Sequence, residues 1–280
     1  GAVSVAGRFF AVAALAVATV PLFTLLFGLM RGQRNTRLEW AGIVLGLVGI
    51  GLARFAYTPL IPSLIQAHWF SASDVIYLSA ANLIGYLIGA LSGRPIAARL
   101  SNGHTLRLMM LLATASFFAC AYPLSITWFF GWRLLSGIAG GAIMVLVAST
   151  VIPHVPAARK GLASGAIFLG VGLGIAGSGT LVPFLLSLGL QDAWIGLGMV
   201  SLVLTLLSWF GWPSASANAA VTTAAVDHSE QAAPLNSGVY LLFGQYALMA
   251  VGLVPAMVFL VDYVTRGLGL STHEGAMIWV

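Results

Sequence analysis

Residues 51–65 read GLARFAYTPLIPSLI, an almost wholly apolar stretch that carries one permanent positive charge, Arg54, and two prolines, Pro59 and Pro62. An arginine stays protonated in proteins, so it needs water or polar protein groups around it even in such a segment. A proline inside a helix removes one backbone hydrogen bond. The class of structure to which this stretch belongs is decided by the residues on either side of it.

The composition places the chain in a membrane. Of its 280 residues, 60% are hydrophobic and 7% are charged, and the mean hydropathy is +1.00. Soluble domains carry roughly 25% charged residues, so this chain lacks the polar surface that a water-soluble fold requires. The 33 glycines suit closely packed membrane helices. The sequence therefore predicts an all-α, polytopic membrane protein.

The positive charge of the chain does not indicate a nucleic-acid partner. The net charge is +5, but no basic run exceeds Arg159-Lys160, and the positive residues lie in short loops between apolar segments. Such a distribution encodes the orientation of membrane helices. The single cysteine, Cys120, lies in an apolar segment and allows no intramolecular disulfide.

Long apolar windows recur along the whole chain. A membrane helix needs about 20 predominantly apolar residues. Windows of this kind fall at residues 9–30, 40–66, 74–93, 105–124, 127–151, 162–187, 193–212 and 238–263, and a further one begins near Gly275. We number the window at 40–66 as span one and the last complete window as span seven.

The loops between these spans alternate in charge. Basic residues cluster before span one, between spans two and three, and between spans four and five. The opposite loops contain Asp74 and Asp192, and no Lys or Arg before Arg266. The positive-inside rule therefore places the basic loops in the cytoplasm. The basic residues concerned are Arg31, Arg34, Arg37, Arg94, Arg99, Arg107, Arg159 and Lys160.

Residues 213–237, PSASANAAVTTAAVDHSEQAAPLNS, are rich in small and polar residues, which indicates a cytoplasmic linker between spans six and seven. The spans on either side of it contain distinctive runs. GLARFAYTPLIPSLI, SAANLIGYLIGALSG (79–93), WRLLSGIAGGAIMVL (132–146) and FLVDYVTRGLG (259–269) resemble the YbfB/YjiJ family of major facilitator transporters. The resemblance covers about residues 40–280. One loop, GRPIAARLSNGHTLR, departs from the pattern of the superfamily because it contains no Asp.

The resemblance implies a division of the chain into units. Residues 38–212 would form the N-terminal six-helix bundle of a major facilitator, 213–237 the linker, and 238–280 the start of the C-terminal bundle, with span seven and the beginning of span eight. Residues 1–37 would add a transmembrane span with a basic tail. This span is either a twelfth-type span in a permuted or fused chain or an extra N-terminal span in a truncated chain.

The chain contains no motif that predicts an enzyme, a metal site or a cofactor. Its five histidines form neither an H-x-x-H nor an H-E-x-x-H pattern. GLGIAGSG at 172–179 has the glycine spacing of a nucleotide loop, but it follows no strand and lies in an apolar run, so we predict helix packing there. The four-residue repeats of glycine in spans two and four predict packing faces of the same kind. These glycines are Gly85, Gly89, Gly93, Gly137 and Gly141.

Two arginines are predicted deep in the bilayer. Arg54 lies 14 residues from Trp40 at the start of span one, which is a depth of about 21 Å. Span four runs in the opposite sense, and Arg133, counted from Thr127, reaches a similar depth in a core of about 30 Å. The resemblance places both spans on the central cavity. Since spans one to six offer no acidic partner, we predict that both guanidinium groups bind a carboxylate-bearing substrate.

Each arginine has an alternative, structural role. Arg54 would bind backbone carbonyls if Pro59 and Pro62 break the outer half of span one, and those freed carbonyls would line a cavity. Arg133 would anchor span four at the membrane interface, among Trp128 and Trp132.

Other polar side chains complete the predicted substrate site. Asn82 and Tyr86 are four residues apart and so share one helix face. Each polar side chain would alternatively hydrogen-bond a neighbouring helix. Asp262 and Arg266, near the outer end of span seven, are predicted as a local ion pair or as an extracellular gate. The predicted neighbours of the arginines are Tyr57, Thr58, Asn82, Tyr86, Gln245 and Tyr246.

The resemblance and these residues together predict a secondary transporter in the bacterial inner (plasma) membrane. It would move a small, anionic organic solute by alternating access about a midplane site. The alternative is a non-transporting membrane scaffold or an inactive transporter fragment. The expected partners are the lipid bilayer, a small-molecule substrate and the second half of the transporter, with no nucleic acid.

Overall fold

A computed structural model describes residues 51–52, 54–152, 160–209, 212 and 237–279. The predicted span within residues 1–37, the start of span one and residues 213–236 of the predicted linker lie outside the described residues. All regular structure in the described part of the chain is helical. Its elements are α1 (Tyr57–Gln66), α2 (Ala72–Leu100), α3 (Asn102–Cys120), α4 (Ile126–Val151), α5 (Lys160–Leu186), α6 (Leu190–Ser208), α7 (Ser237–Asp262), a π-helix (Tyr263–Gly267) and α8 (Thr272–Trp279).

The helices α2 to α7 are long and apolar enough to cross a bilayer. They coincide with predicted spans two to seven, so the predicted all-α polytopic fold is confirmed. Helix α1 ends span one at Gln66, and α8 begins close to the predicted start of span eight. The protein is a multi-pass membrane protein whose solvent, over these helices, is the lipid bilayer.

The closest helix pair is α2 with α4, and glycines make the approach possible. A methyl group on Gly137 would lie 2.9 Å from the amide nitrogen of Tyr86 and would overlap the carbonyl oxygen of Asn82. Small residues at such positions let the backbones of membrane helices touch. The predicted packing faces are therefore confirmed in this seam. Its other glycines are Gly85, Gly89, Gly93 and Gly141.

The glycine-rich run at 172–179 is helical throughout. Helix α5 continues through it without interruption, which excludes a nucleotide-binding loop there. A methyl group on Gly177 would lie 3.6 Å from the side chain of Leu52, so this glycine faces the segment that precedes α1. The prediction of helix packing is confirmed at this position.

The prolines do not break the outer half of span one, and that prediction is wrong. Helix α1 runs from Tyr57 to Gln66 with Pro62 inside it. Pro59 occupies the first turn, where an amide has no helical acceptor in any case. The only departure from helix in this region is a turn at Ala56, whose amide still donates to Leu52 O at 2.9 Å. A single proline costs the helix one hydrogen bond and not its continuity.

An aromatic cluster fixes α1 against the rest of the bundle. Trp194 on α6 is 1% exposed, and its ring centroid lies 5.4 Å from that of Phe129, 6.2 Å from that of Phe117 and 6.3 Å from that of Tyr57. These rings come from α4, α3 and α1. Because large buried rings contribute strongly to packing, the cluster determines where Tyr57 stands.

The helices α2 and α8 begin with the same device. Ser71 and Asp74 form a capping box at the start of α2. At α8, the Ser271 hydroxyl and amide donate to Glu274 at 2.7 and 2.8 Å, and the Glu274 amide donates back to Ser271 Oγ at 3.2 Å. The bonds donated by Ser271 lower the pKa of the Glu274 carboxyl. Each box satisfies amides that a helix start leaves free.

Candidate functional site

A cavity of about 410 Å³, partly open to its surroundings, lies where α1, α2, α4 and α7 meet. Ser79 and Arg133 lie seven residues from the starts of α2 and α4, and Met257 lies five residues from the end of α7. The cavity is therefore about 8–10 Å from the helix ends that the charge pattern places outside, nearer to that side than to the middle. Its lining consists of Arg54, Phe55, Tyr57, Thr58, Ser79, Asn82, Leu83, Arg133, Val254, Met257 and Val258.

The side chain of Arg54 is held by α2. Its Nη1 donates to Asn82 Oδ1 at 2.7 Å, and its Cζ lies 4.7 Å from the ring centroid of Tyr86. This geometry combines a charge-assisted hydrogen bond with a cation–π contact. The printed partner of Arg54 is thus an amide side chain and a ring, and not the carbonyls near the prolines.

Asn82 connects the two arginines. While its Oδ1 accepts from Arg54, its Nδ2 donates to the backbone carbonyl of Arg133 at 3.1 Å. Only one orientation of the amide satisfies both neighbours, since a guanidinium cannot accept and a carbonyl cannot donate. The glycine seam brings α2 close enough to α4 for this contact, because Gly137 follows Arg133 by one helical turn.

Arg133 points into the bundle. It is 4% exposed, and its Cζ lies 3.8 Å from the ring centroid of Tyr57. Its buried Nε has no hydrogen-bond partner among the described residues. The neighbouring Trp128 and Trp132 instead pack on each other, with ring centroids 5.6 Å apart. The geometry does not match the alternative role of Arg133 as an interface anchor.

Helix α7 closes the cavity with an apolar wall. Val254, Met257 and Val258 all line it and occupy one helix face through their i, i+3 and i+4 spacing. The hydroxyl of Thr58 donates to the carbonyl oxygen of Met257 at 3.3 Å, which joins α1 to α7. Gln245, which was predicted at the site, lies at an exposed position of α7 and is not part of the lining.

The remaining predicted residues divide into two groups. Tyr57, Thr58 and Asn82 line the cavity with the arginines, whereas Tyr86 contacts it through Arg54. Tyr246 is 63% exposed and lies away from it. A role in substrate binding remains a prediction for each of them.

Asp262 and Arg266 form the predicted local ion pair. Two nitrogens of Arg266 each lie 2.5 Å from a carboxylate oxygen of Asp262. The pair spans the junction of α7 with the π-helix and is not part of the cavity lining. A gating role for it stays a prediction.

Several lining residues had no place in the sequence prediction. Ser79 precedes Asn82 by three residues and so shares its helix face, a signal that the sequence contains. Phe55 and Leu83 adjoin predicted residues in the chain. The three residues of the α7 wall carry no such signal, because an apolar side chain looks the same in sequence whether it faces lipid or a cavity.

The helical arrangement is similar to that of a solved membrane transporter. The crystal structure of a D-xylose-proton symporter superimposes with a TM-score of 0.61 and 18% sequence identity, covering 86% of this chain and 64% of that chain. At this identity the likeness shows the fold alone. The fold is that of a membrane transporter.

A model of one protein family matches residues 46–280, and its description is "Uncharacterised MFS-type transporter YbfB". The chain belongs to this family of major facilitator transporters, which confirms the resemblance seen in its motifs. The matched residues include every lining residue of the cavity. Membership of this family also means that the neighbours by sequence and by fold are transporters and not enzymes.

Two curated transporters are related over part of their length. The 4-hydroxybenzoate transporter PcaK of Acinetobacter baylyi is 30% identical over 166 residues, which are 59% of this chain and 36% of that protein. A gallate transporter of Pseudomonas putida is 28% identical over 160 residues, which are 55% of this chain and 35% of that protein. The matched segments thus cover about a third of each relative.

Proposed function

We propose that the complete protein is a secondary transporter of the bacterial inner membrane that moves a small organic anion by alternating access. The observation that carries the proposal is the pair of arginines, Arg54 and Arg133, on one cavity. The ion pair that the structure contains in its described part is the one between Asp262 and Arg266. Neither cavity arginine therefore has a carboxylate partner among the described residues.

A pair of unneutralised cations at this depth is costly unless it has a purpose. A charged side chain inside a membrane costs a few kcal/mol even after it recruits water or polar groups. Tyr57, Tyr86 and Asn82 reduce that cost through their rings and amide, but none of them carries a negative charge. A bound organic anion would supply the missing charge.

The related transporters support an anion as the substrate. The proteins that match this chain over a third of their length are named for 4-hydroxybenzoate and for gallate, which are both carboxylates. The contact between α1 and α7 supports alternating access. The first-bundle helices and α7 meet at the cavity, and a rocking motion of one bundle against the other would open this contact.

Uptake by the complete protein in proteoliposomes tests the proposal. The probes are radiolabelled benzoate and 4-hydroxybenzoate, with D-xylose as the uncharged comparison. A lost charge-assisted hydrogen bond costs about 1.5–3 kcal/mol, so Arg133→Ala and Arg54→Ala should weaken the apparent affinity about 10- to 100-fold. Arg94→Ala, at an exposed position of α2, is the matched control and should behave as the parent.

Two results would contradict the proposal. One is uptake of D-xylose in preference to both carboxylates. The other is unchanged carboxylate uptake by both cavity variants, which would assign the arginines a structural role. A correctly folded protein that transports none of the probes and binds none of them would favour the scaffold alternative.

A further inference from the structure

We propose that the cavity selects a monocarboxylate with an apolar body. The carboxylate would bind at Arg133, and the body would lie against the α7 wall of Val254, Met257 and Val258. This inference rests on the proposed function for the existence of an anion site. It adds the chemical class of the anion and the residues that choose it.

The head group of the ligand is placed by the donors that remain free. Arg54 already gives Nη1 to Asn82 and covers the ring of Tyr86. The guanidinium of Arg133, in a side chain that is 4% exposed, donates no hydrogen bond to any described residue. Buried donors in proteins are nearly always paired, so an unpaired one calls for a ligand. The planar fork of a guanidinium fits a single carboxylate through two parallel hydrogen bonds.

The body of the ligand is placed by the opposite side of the cavity. Every lining residue that comes from α7 is apolar, whereas the polar lining residues come from α1, α2 and α4. Phe55 and Leu83 extend the apolar surface from the other helices. A ligand that spans the cavity from Arg133 to α7 therefore meets a cation at one end and hydrocarbon at the other.

This polarity argues against a second charge on the far end of the ligand. A dicarboxylate of the same length would bring its second carboxylate to the α7 wall, where no side chain donates a hydrogen bond. An ionised group buried without a partner is strongly disfavoured. Added hydrocarbon, in contrast, removes apolar surface from water and strengthens binding.

Calorimetric titration of the complete protein in detergent tests the inference. The probes are butanoate, pentanoate, hexanoate and succinate, the last being butanoate with a second carboxylate. Each added CH₂ should tighten binding about fourfold while the body still reaches the wall. Succinate should bind at least about tenfold more weakly than butanoate.

Matched variants show whether α7 makes the choice. Val254→Thr keeps the shape of the side chain but adds a hydroxyl to the wall, and it should reduce the gain per CH₂. Val251→Thr makes the same change at a position of α7 that is 72% exposed and should leave the gain unchanged. Partition of the probes into detergent is common to both variants and cannot separate them. If Val254→Thr does not fold, Val258→Thr takes its place.

The outcomes separate this inference from the proposed function. Tighter binding of succinate than of butanoate, or equal affinity along the series, would overturn the apolar-body inference while Arg133-dependent anion binding still stood. An equal loss in the Val254→Thr and Val251→Thr variants would overturn the role of the wall. The proposed function itself fails only if anion binding and uptake are indifferent to the two arginines.

Discussion

One methyl group at Gly137 should open the seam between α2 and α4. The Cβ of Gly137→Ala would lie 2.9 Å from the Tyr86 amide nitrogen and would overlap the Asn82 carbonyl oxygen. Non-bonded heavy atoms at a carbon prefer about 3.5–4.0 Å, so the helices must separate by at least about 0.5 Å. Both obstacles are backbone atoms and cannot rotate away. Overpacking of this kind costs about 1–3 kcal/mol of stability.

The same displacement should reach the cavity. Asn82 Nδ2 lies 3.1 Å from the carbonyl oxygen of Arg133, and a widening of about 0.5 Å takes this pair to roughly 3.6 Å, which is too long for a hydrogen bond. Asn82 then no longer holds Arg54 in a fixed position. Loss of one such bond is worth about 0.5–1.5 kcal/mol, so carboxylate affinity should fall about 2- to 10-fold.

The assay combines thermal unfolding of the complete protein in detergent with benzoate titration. Gly131→Ala is the matched control, because it lies on the same helix with no atom within 4 Å of a Cβ there. It should be neutral or stabilising, since alanine favours a helix by up to about 1 kcal/mol over glycine. In an Asn82→Ala background, Gly137→Ala should cause little further loss of affinity. Equal stability and equal affinity of Gly137→Ala and Gly131→Ala would refute the reasoning.

Three further predictions concern the ends of the helices. Asp262→Asn should shift the unfolding temperature little in physiological salt, because its ion pair with Arg266 is partly exposed and worth at most about 1 kcal/mol; a large loss of uptake at unchanged stability would instead identify a gate. Ser71→Ala should destabilise the protein by about 1 kcal/mol through loss of the α2 cap, whereas Ser71→Asn should not, and equal unfolding temperatures for the two would contradict the capping account. His104→Cys, made in a Cys120→Ser background, should react with an impermeant thiol reagent from the cytoplasmic side only, and labelling from outside would reverse the predicted orientation.

The helices of this protein were predictable because the bilayer imposes their length. Each span must bury about 20 residues in hydrocarbon, and the described helices α2 to α7 follow the predicted windows within a few residues. The packing of α2 on α4 was also predictable, since glycines repeated every four residues leave one face of each helix without side chains. The effect of the prolines on span one was not, because a helix held by neighbours on several sides tolerates the loss of single hydrogen bonds.

The candidate site was predictable only where it is polar. Arg54 and Arg133 stand out in apolar spans, and counting residues from the two membrane faces brought them to similar depth. The residues that face them from α7 carry no charge or polar atom by which to recognise them. Gln245 did carry such a signal, yet its position on α7 is exposed.

The sequence alone determined that this chain crosses the membrane several times, which loops are basic, and which family it belongs to. These properties depend on composition, length and the order of residues. The tertiary structure decided that Asn82 holds Arg54, that Arg133 stacks on Tyr57 with free donors, and that α7 presents an apolar wall to both. The physical reason is that membrane helices are apolar on every face. Their sequence therefore does not show how each helix is rotated, and only packing against neighbours determines which side chains share a cavity.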